Sequence, residues 1–218
     1  MNPVVIFLGV VVLVLVYYLY VNYISSSVSL SSKADLKTSN AAIPYSKLQN
    51  RDSSNYSYGV WIYVNTWSSN NVKTIFSRGN DFSLYIDQTT PKLYCKINSV
   101  TGDASSNILI TNNFPIQKWT HVIVSFNSQI IDIYLDGKLI ISQKLNYVPK
   151  VSTNDITLGD SNLPDIILAK LQRWAKTMDP QTAWNYYLQG NGVSSSTNYN
   201  VKLSVLQDNV EQKQFSLY

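Results

Sequence analysis

WTHVIVSFNSQIIDIYLDGKLIIS, residues Trp119 to Ser142, has the pattern of three consecutive β-strands. Residues 119–126 and 130–135 each alternate between two faces, which is the period of a strand with one buried face. The pair Asp136-Gly137 then separates the second segment from the third, residues 138–141. Both central residues of a type I′ turn need positive φ, and an Asp-Gly pair between apolar runs supplies them. The sequence therefore predicts three strands, the last two joined by a tight hairpin.

Short alternating segments continue on both sides of this region. Residues 58–64 form one such segment, and several others follow, separated by turn residues such as Ser, Asn, Gly and Pro. Strands this short and this regularly spaced favour a β-sandwich. Near the end, Asp179 is a suitable N-cap and Pro180 a suitable first helical residue, so a short helix is predicted there, ending near Gly190.

Composition excludes several classes of protein. Of 218 residues, 45% are hydrophobic and only 14% charged, with a formal net charge of +4 and no dense Lys/Arg stripe. We therefore expect a real core and no nucleic-acid partner. Cys95 is the single cysteine, so an intramolecular disulfide is impossible. Its apolar neighbours predict a buried thiol, and the lack of disulfides favours folding on the cytosolic side of a membrane.

The amino-terminal segment, residues 4–21, contains 18 residues without a charge. As a helix it would be about 27 Å long, close to the thickness of the bilayer's hydrocarbon core. We therefore predict a transmembrane anchor, with a cleaved signal peptide as the alternative. Positive residues follow the segment, which would place the later domain in the cytosol. The side chains expected to lie in the membrane are Val4, Val5, Ile6, Phe7, Leu8, Val10, Leu13, Leu15, Tyr17, Tyr18 and Tyr20.

These patterns divide the chain into four parts. Residues 1–24 are predicted to be the anchor, and residues 25–55, polar and Ser-rich, a linker or extended arm. Residues 56–190 are predicted to be the sandwich. Residues 191–218 form a tail whose alternation predicts one more strand or an arm.

Several motifs together resemble one family. They are the apolar-Trp-apolar triplet at Trp61, W-T-H-V-I-V-S-F from Trp119, I-Y-L-D-G-K-L-I from Ile133 and I-T-L-G-D from Ile156. This order of motifs looks like a laminin-G-like domain of the concanavalin A-like lectin/glucanase superfamily. The resemblance implies an all-β jelly-roll sandwich. It also implies that certain residues determine the fold rather than act in catalysis, namely Trp61, Trp119, His121, Asp136 and Gly137.

The arrangement of anchor, sandwich and tail is similar to that of minor capsid or membrane proteins of large nucleocytoplasmic DNA viruses. That resemblance implies a single-pass protein of the internal virion membrane, with the sandwich facing the capsid, on the cytosolic side during assembly. Its partners would be the lipid membrane and capsid or other virion proteins. The alternative function is a membrane-tethered carbohydrate-binding module, whose partners would be glycans.

Catalytic residues are not evident. Hydrolases with this fold need two carboxyl groups flanking the scissile bond, but the single glutamate, Glu211, lies in the tail and His121 is the single histidine. The sequence thus predicts no enzyme and no cofactor. Asp81 and Asp160, at the rim, are the candidate calcium ligands, the alternative being that they cap turns. Trp67, at a strand end, is the candidate for stacking on a sugar, the alternative being a loop aromatic packed on a neighbour.

Overall fold

The computed structural model describes residues 3–19, 27–192, 201–207 and 210–217, and its main body is built on two packed antiparallel sheets of six and five strands. The strands are β1 (Ser27–Asp35), β2 (Asn55–Val64), β3 (Lys73–Arg78), β4 (Phe82–Ile86), β5 (Leu93–Asn98), β6 (Ser105–Thr111), β7 (Thr120–Asn127), β8 (Ile130–Leu135), β9 (Lys138–Lys144), β10 (Ile156–Leu158), β11 (Ile166–Trp174), β12 (Val201–Gln207) and β13 (Val210–Leu217). One sheet has the order β1-β11-β2-β7-β8-β9 and the other β10-β3-β4-β5-β6. The predicted β-sandwich is confirmed.

The hydrophobic core lies between the two sheets. Strand β7 contributes Val122, Val124 and Phe126, each only 1% exposed, as its alternation predicts. Aromatic rings complete the core: Phe126 stacks on Tyr56 of the neighbouring strand at 4.7 Å and lies 5.9 Å from Phe82 of the facing sheet. Each such side chain contributes roughly 1.5–3 kcal/mol through burial.

The turn at Asp136-Gly137 joins β8 to β9. The φ angles are +47° at Asp136 and +75° at Gly137, the signs that a type I′ turn requires. Strand β9 then pairs with β8 from Lys138 to Lys144, with a register shift opposite Ile133 and Tyr134. The last two strands of the quoted stretch are therefore joined by the hairpin that the sequence predicts.

A short helix, α2 (Pro180–Leu188), covers part of the outer face of the six-stranded sheet. Asp179 caps it by accepting a hydrogen bond of 2.9 Å from the amide of Thr182. Under the helix, the Tyr134 hydroxyl donates to the carbonyl of Met178 at 2.8 Å, and Trp174 lies against Gly59. A Cβ at Gly59 would stand 2.6 Å from the Trp174 ring, so glycine is what permits this packing.

Much of the segment assigned to a linker, residues 25–55, is part of the sandwich. Strand β1 pairs with β11 over its whole length and forms one edge of the six-stranded sheet. Ile43 then pairs with Ile156, and Leu48 is 4% exposed. Polar alternation in a Ser-rich edge strand is weak, which explains why the sequence indicated an arm instead.

Two buried arginines bind loop carbonyls, and one of them, Arg173, holds this segment. The guanidinium of Arg78 donates to the Tyr58 hydroxyl and the Asn154 carbonyl, both at 3.2 Å, and to the carbonyl of Ser152. Arg173 donates to the carbonyls of Gln49 and Asn50. Among residues 27–192 neither arginine has a carboxylate partner.

The amino-terminal helix, α1 (Pro3–Leu19), corrects the membrane prediction. In the described part of the chain, no helix is long and apolar enough to cross a membrane. Helix α1 has 17 residues. The predicted single-pass anchor, and with it a location in the virion membrane, is therefore wrong. Of the side chains assigned to the bilayer, Tyr20 lies outside the described residues, and α1 carries Val4, Val5, Ile6, Phe7, Leu8, Val10, Leu13, Leu15, Tyr17 and Tyr18.

In the tail, β12 and β13 pair with each other as an antiparallel hairpin, with Val201 opposite Leu217 and Leu203 opposite Phe215. The sequence predicted one strand or an arm for this segment, because its apolar alternation is clear only in residues 201–205. Residues 208 and 209, between these two strands, lie outside the described residues.

Candidate functional site

A pocket of about 220 Å³ opens at the end of the sandwich where β2 ends and β3 begins. Its walls are the loop 65–72 between these strands and the loop 159–165 that leads into β11. We call it the end pocket. Its lining is mixed, with polar and apolar side chains side by side: Lys37, Thr66, Ser68, Asn71, Val72, Lys73, Asn162, Leu163, Pro164 and Asp165.

Asp165 is the single acidic residue in that lining. Its Oδ2 accepts hydrogen bonds from the Thr66 hydroxyl at 2.6 Å and from the side-chain amide of Asn65 at 3.1 Å. Lys37 Nζ lies 3.7 Å from the same oxygen. The bond from Thr66, followed by those from its neighbours, lowers the pKa of Asp165 and keeps it ionised. Within residues 27–192 its Oδ1 accepts no hydrogen bond, so an ionised acceptor is left for a ligand.

Two side-chain amides near Asp165 are unpaired in this part of the chain. Asn162 uses its backbone amide to bond Asp160 at 2.8 Å, while its side-chain amide has no partner among the described residues. The Asn71 side chain is likewise free in this part of the chain, since only its carbonyl is used. Beside them, Val72 and Leu163 are 40% and 45% exposed. The pocket thus offers donors, acceptors and apolar carbon within one small space.

Trp67 lies behind this pocket rather than open to it. Lys73 Nζ stands 4.2 Å from the centroid of the Trp67 ring and donates to the carbonyls of Asn71 and Gln88 at 3.0 and 3.2 Å. Burial lowers the pKa of Lys73, whose charge these acceptors and the ring compensate. One face of the indole is therefore covered by Lys73, and the partly buried Trp67 also packs against the hydrophobic core.

The two candidate calcium residues lie at opposite ends of β3. Asp160 accepts from the amides of Thr74 at 3.0 Å and Asn162 at 2.8 Å, which makes it a cap beside the end pocket. Asp81 is buried and its Oδ1 lies 3.1 Å from Lys150 Nζ. Among the described residues there is no group of three or more His, Cys, Asp or Glu side chains that could hold a metal.

The fold-determining candidates form aromatic contacts. The imidazole of His121 is 4% exposed and stacks on Trp61 at 4.8 Å. Burial, aided by the charge of Lys170, lowers the pKa of His121 to about 4, so the ring is neutral near pH 7. Trp119 contacts Tyr63 at 5.3 Å. The geometry gives these residues a packing role.

Sequence reasoning missed a second concavity, a groove of about 370 Å³ between the β8–β9 turn and α2. We call it the Trp184 groove, and its lining is Leu135, Asp136, Lys138, Ile140, Trp184 and Tyr187. Gly137 lets α2 lie this close to the turn, because a Cβ there would stand 2.8 Å from the Trp184 ring. Trp184 and Tyr187 are three residues apart in α2 and so share one helical face, but the sequence gives no indication that β9 lies opposite them.

Comparison with known proteins agrees with this architecture. Solved structures similar in fold include the binding domain of botulinum neurotoxin serotype D, with 18% identity and a TM-score of 0.55 over 75% of this chain and 42% of that one. A second is the binding domain of botulinum neurotoxin DC in complex with SialylT, with 22% identity and a TM-score of 0.52 over 64% of this chain and 37% of that one. A third is the binding domain of Paraclostridial Mosquitocidal Protein 1, with 13% identity and a TM-score of 0.52 over 62% of this chain and 37% of that one.

This chain therefore spans about two fifths of the length of those structures, and at such identities the likeness concerns the fold. None of the curated proteins compared matches the chain by sequence. The family model described as "Concanavalin A-like lectin/glucanases superfamily" (Laminin_G_3) matches residues 35–194, well over half of the chain. The chain belongs to the Laminin_G_3 family of the concanavalin A-like lectin/glucanase superfamily.

Proposed function

We propose that this chain is a carbohydrate-binding module that holds a sugar unit in the end pocket. The observation that carries the proposal is the unpaired Oδ1 of an ionised Asp165 beside free amides and exposed apolar carbon. Sugar hydroxyls both donate and accept hydrogen bonds, whereas the C–H faces of a sugar ring are apolar. A lining with both characters in one small space suits such a ligand.

Pocket size supports binding of one terminal unit rather than an enclosed oligosaccharide. At about 220 Å³ the end pocket is smaller than the roughly 300–1,000 Å³ typical of sites for drug-sized ligands. In support of a glycan, one structure of similar fold, the binding domain of botulinum neurotoxin DC, was solved in complex with SialylT.

We also propose that the pocket binds without hydrolysing. Glycoside hydrolysis uses two carboxyl groups about 5–9.5 Å apart on either side of the scissile bond. The residues that line the end pocket include one carboxylate, Asp165. This supports a binding role for Asp165.

A capsid-linking role remains a prediction from the sequence resemblance. The described residues supply no observation that favours it over carbohydrate binding, so the end pocket carries the proposal.

A glycan array probed with the full chain tests this function. We expect binding to terminal sugars that falls about ten-fold or more in Asp165→Ala, the usual loss when a hydrogen bond to a charged group is removed. Asp103→Ala is the matched control, since Asp103 is exposed in the loop after β5 at the other end of the sandwich. A folded chain that binds no glycan, or binds equally well in both variants, would contradict the proposal.

A further inference from the structure

Strand β9 is the exposed edge of the six-stranded sheet. It is last in the strand order, so one side of its backbone has no strand partner in that sheet. Six of its seven residues are exposed, including Leu139 at 44% and Ile140 at 42%. Unpaired edges of this kind pair readily with other extended chains, and folded proteins usually keep them short or polar.

The Trp184 groove adjoins this edge. Lys138 and Ile140 of β9 form one wall, and Trp184 and Tyr187 of α2 form the other. Trp184 is 37% exposed, and its ring lies 5.4 Å from that of Tyr187. In recognition by strand addition, backbone hydrogen bonds supply affinity and a neighbouring pocket for one side chain supplies selectivity. Edge and groove together provide both parts.

The charges on β9 indicate which chain could add to it. Lys138 and Lys144 stand at its two ends, and in the part of the chain spanning residues 27–192 neither forms an ion pair. A second copy is disfavoured, because a two-fold axis would pair the two β9 strands antiparallel and set Lys138 opposite Lys144. Lysines that repel a second copy attract carboxylates.

From this edge, this groove and these charges, we propose that β9 is a docking site for an extended acidic peptide. The peptide adds as a further strand of the six-stranded sheet and places an apolar side chain in the Trp184 groove. Its carboxylates lie opposite Lys138 and Lys144. The partner is a protein segment, and the surface is separate from the end pocket.

A displayed library of random peptides of about nine residues, a usual strand length, tests the proposal with the full chain as bait. We expect selected peptides to carry Asp or Glu at both ends of an apolar centre. Charge reversal in Lys138→Glu/Lys144→Glu should weaken them about five- to thirty-fold, since each exposed ion pair contributes at most several-fold in affinity. The same variant should select peptides with basic ends.

Amide hydrogen exchange locates the bound peptide. We expect slower exchange in residues 139–143 of β9 and unchanged exchange in β6, the edge of the other sheet. Trp184→Ala should also lower the affinity for the selected peptides. If Trp184→Ala fails to fold, the Lys138→Glu/Lys144→Glu variant, which changes only exposed side chains, still tests the proposal. Peptides without acidic ends, protection elsewhere, a β9-dependent dimer in solution, or glycan binding lost in a folded Trp184→Ala variant would each overturn the proposal.

Discussion

The carboxylate of Asp136 accepts a hydrogen bond of 2.9 Å from the backbone amide of His121, and the Asp136 amide donates one of 2.8 Å to the His121 carbonyl. This pair of bonds fastens the β8–β9 turn to the start of β7. The adjoining Gly137 then lies against α2. One dipeptide therefore closes the hairpin, attaches it to a neighbouring strand and leaves space for the helix.

Gly137→Ala should destabilise the chain strongly. An L residue in the left-handed region costs about 1–2 kcal/mol, and the new Cβ would lie 2.8 Å from the Trp184 ring. We expect a loss of roughly 2–4 kcal/mol in the free energy of unfolding, measured by urea denaturation. Gly102→Ala is the matched control, because Gly102 also has positive φ, +78°, but no atom within 4 Å of its Cβ position. Equal losses in both variants would contradict the packing role.

His121 should make stability fall in mild acid. Its pKa is about 4 in the folded chain and 6.5 in the unfolded one, so between these values the unfolded chain binds more protons. The contribution of His121 to the free energy of unfolding is therefore fully present above about pH 6.5. It decreases by roughly 3 kcal/mol as the pH falls to 4. His121→Phe keeps a ring against Trp61 and should remove this part of the pH dependence. Urea denaturation of both proteins at about pH 7.5 and 4.5 checks this prediction. An equal loss of unfolding free energy between the two pH values in wild type and His121→Phe would refute it.

Arg78→Met should cost about 2–4 kcal/mol of stability, because three acceptors lose their donor, two of them in buried hydrogen bonds. Arg51 is the control, since it is exposed and its guanidinium lies 4.8 Å above the Tyr45 ring. Arg51→Met should cost less than about 1 kcal/mol. Thermal and urea unfolding measure both, and a similar loss in the two variants would contradict the structural role of Arg78.

The sandwich could be predicted because its information is local. Alternation in β7 and β8 and the φ demands of Asp136-Gly137 depend on neighbouring residues. The end pocket could not be predicted, because Thr66 and Asp165 meet only when β2 pairs with β11. Trp67 was the nearest sequence signal, and it lies beside the pocket with Lys73 against its ring.

The buried arginines show the same limit. A charged residue inside a strand is normally assigned to the exposed face of that strand, yet Arg78 is only 2% exposed. Its acceptors come from Tyr58 and from the loop that carries Ser152 and Asn154, all distant in sequence. No pattern in neighbouring residues reports such partners.

Glycan binding should persist into acid and depend on Thr66. The Thr66 hydroxyl is the largest cause of the lowered pKa of Asp165, so the carboxylate remains an acceptor below the usual carboxyl range near 3.9. Thr66→Val removes that bond, and we expect the loss of binding to begin at higher pH. Thr66→Ser keeps the hydroxyl and should restore the wild-type profile. The affinity of all three proteins for a glycan selected on the array is measured at a series of pH values from 7 to 3. Identical profiles for wild type and Thr66→Val would show that Asp165 is not the acceptor, because its ionisation would then have no effect on the sugar.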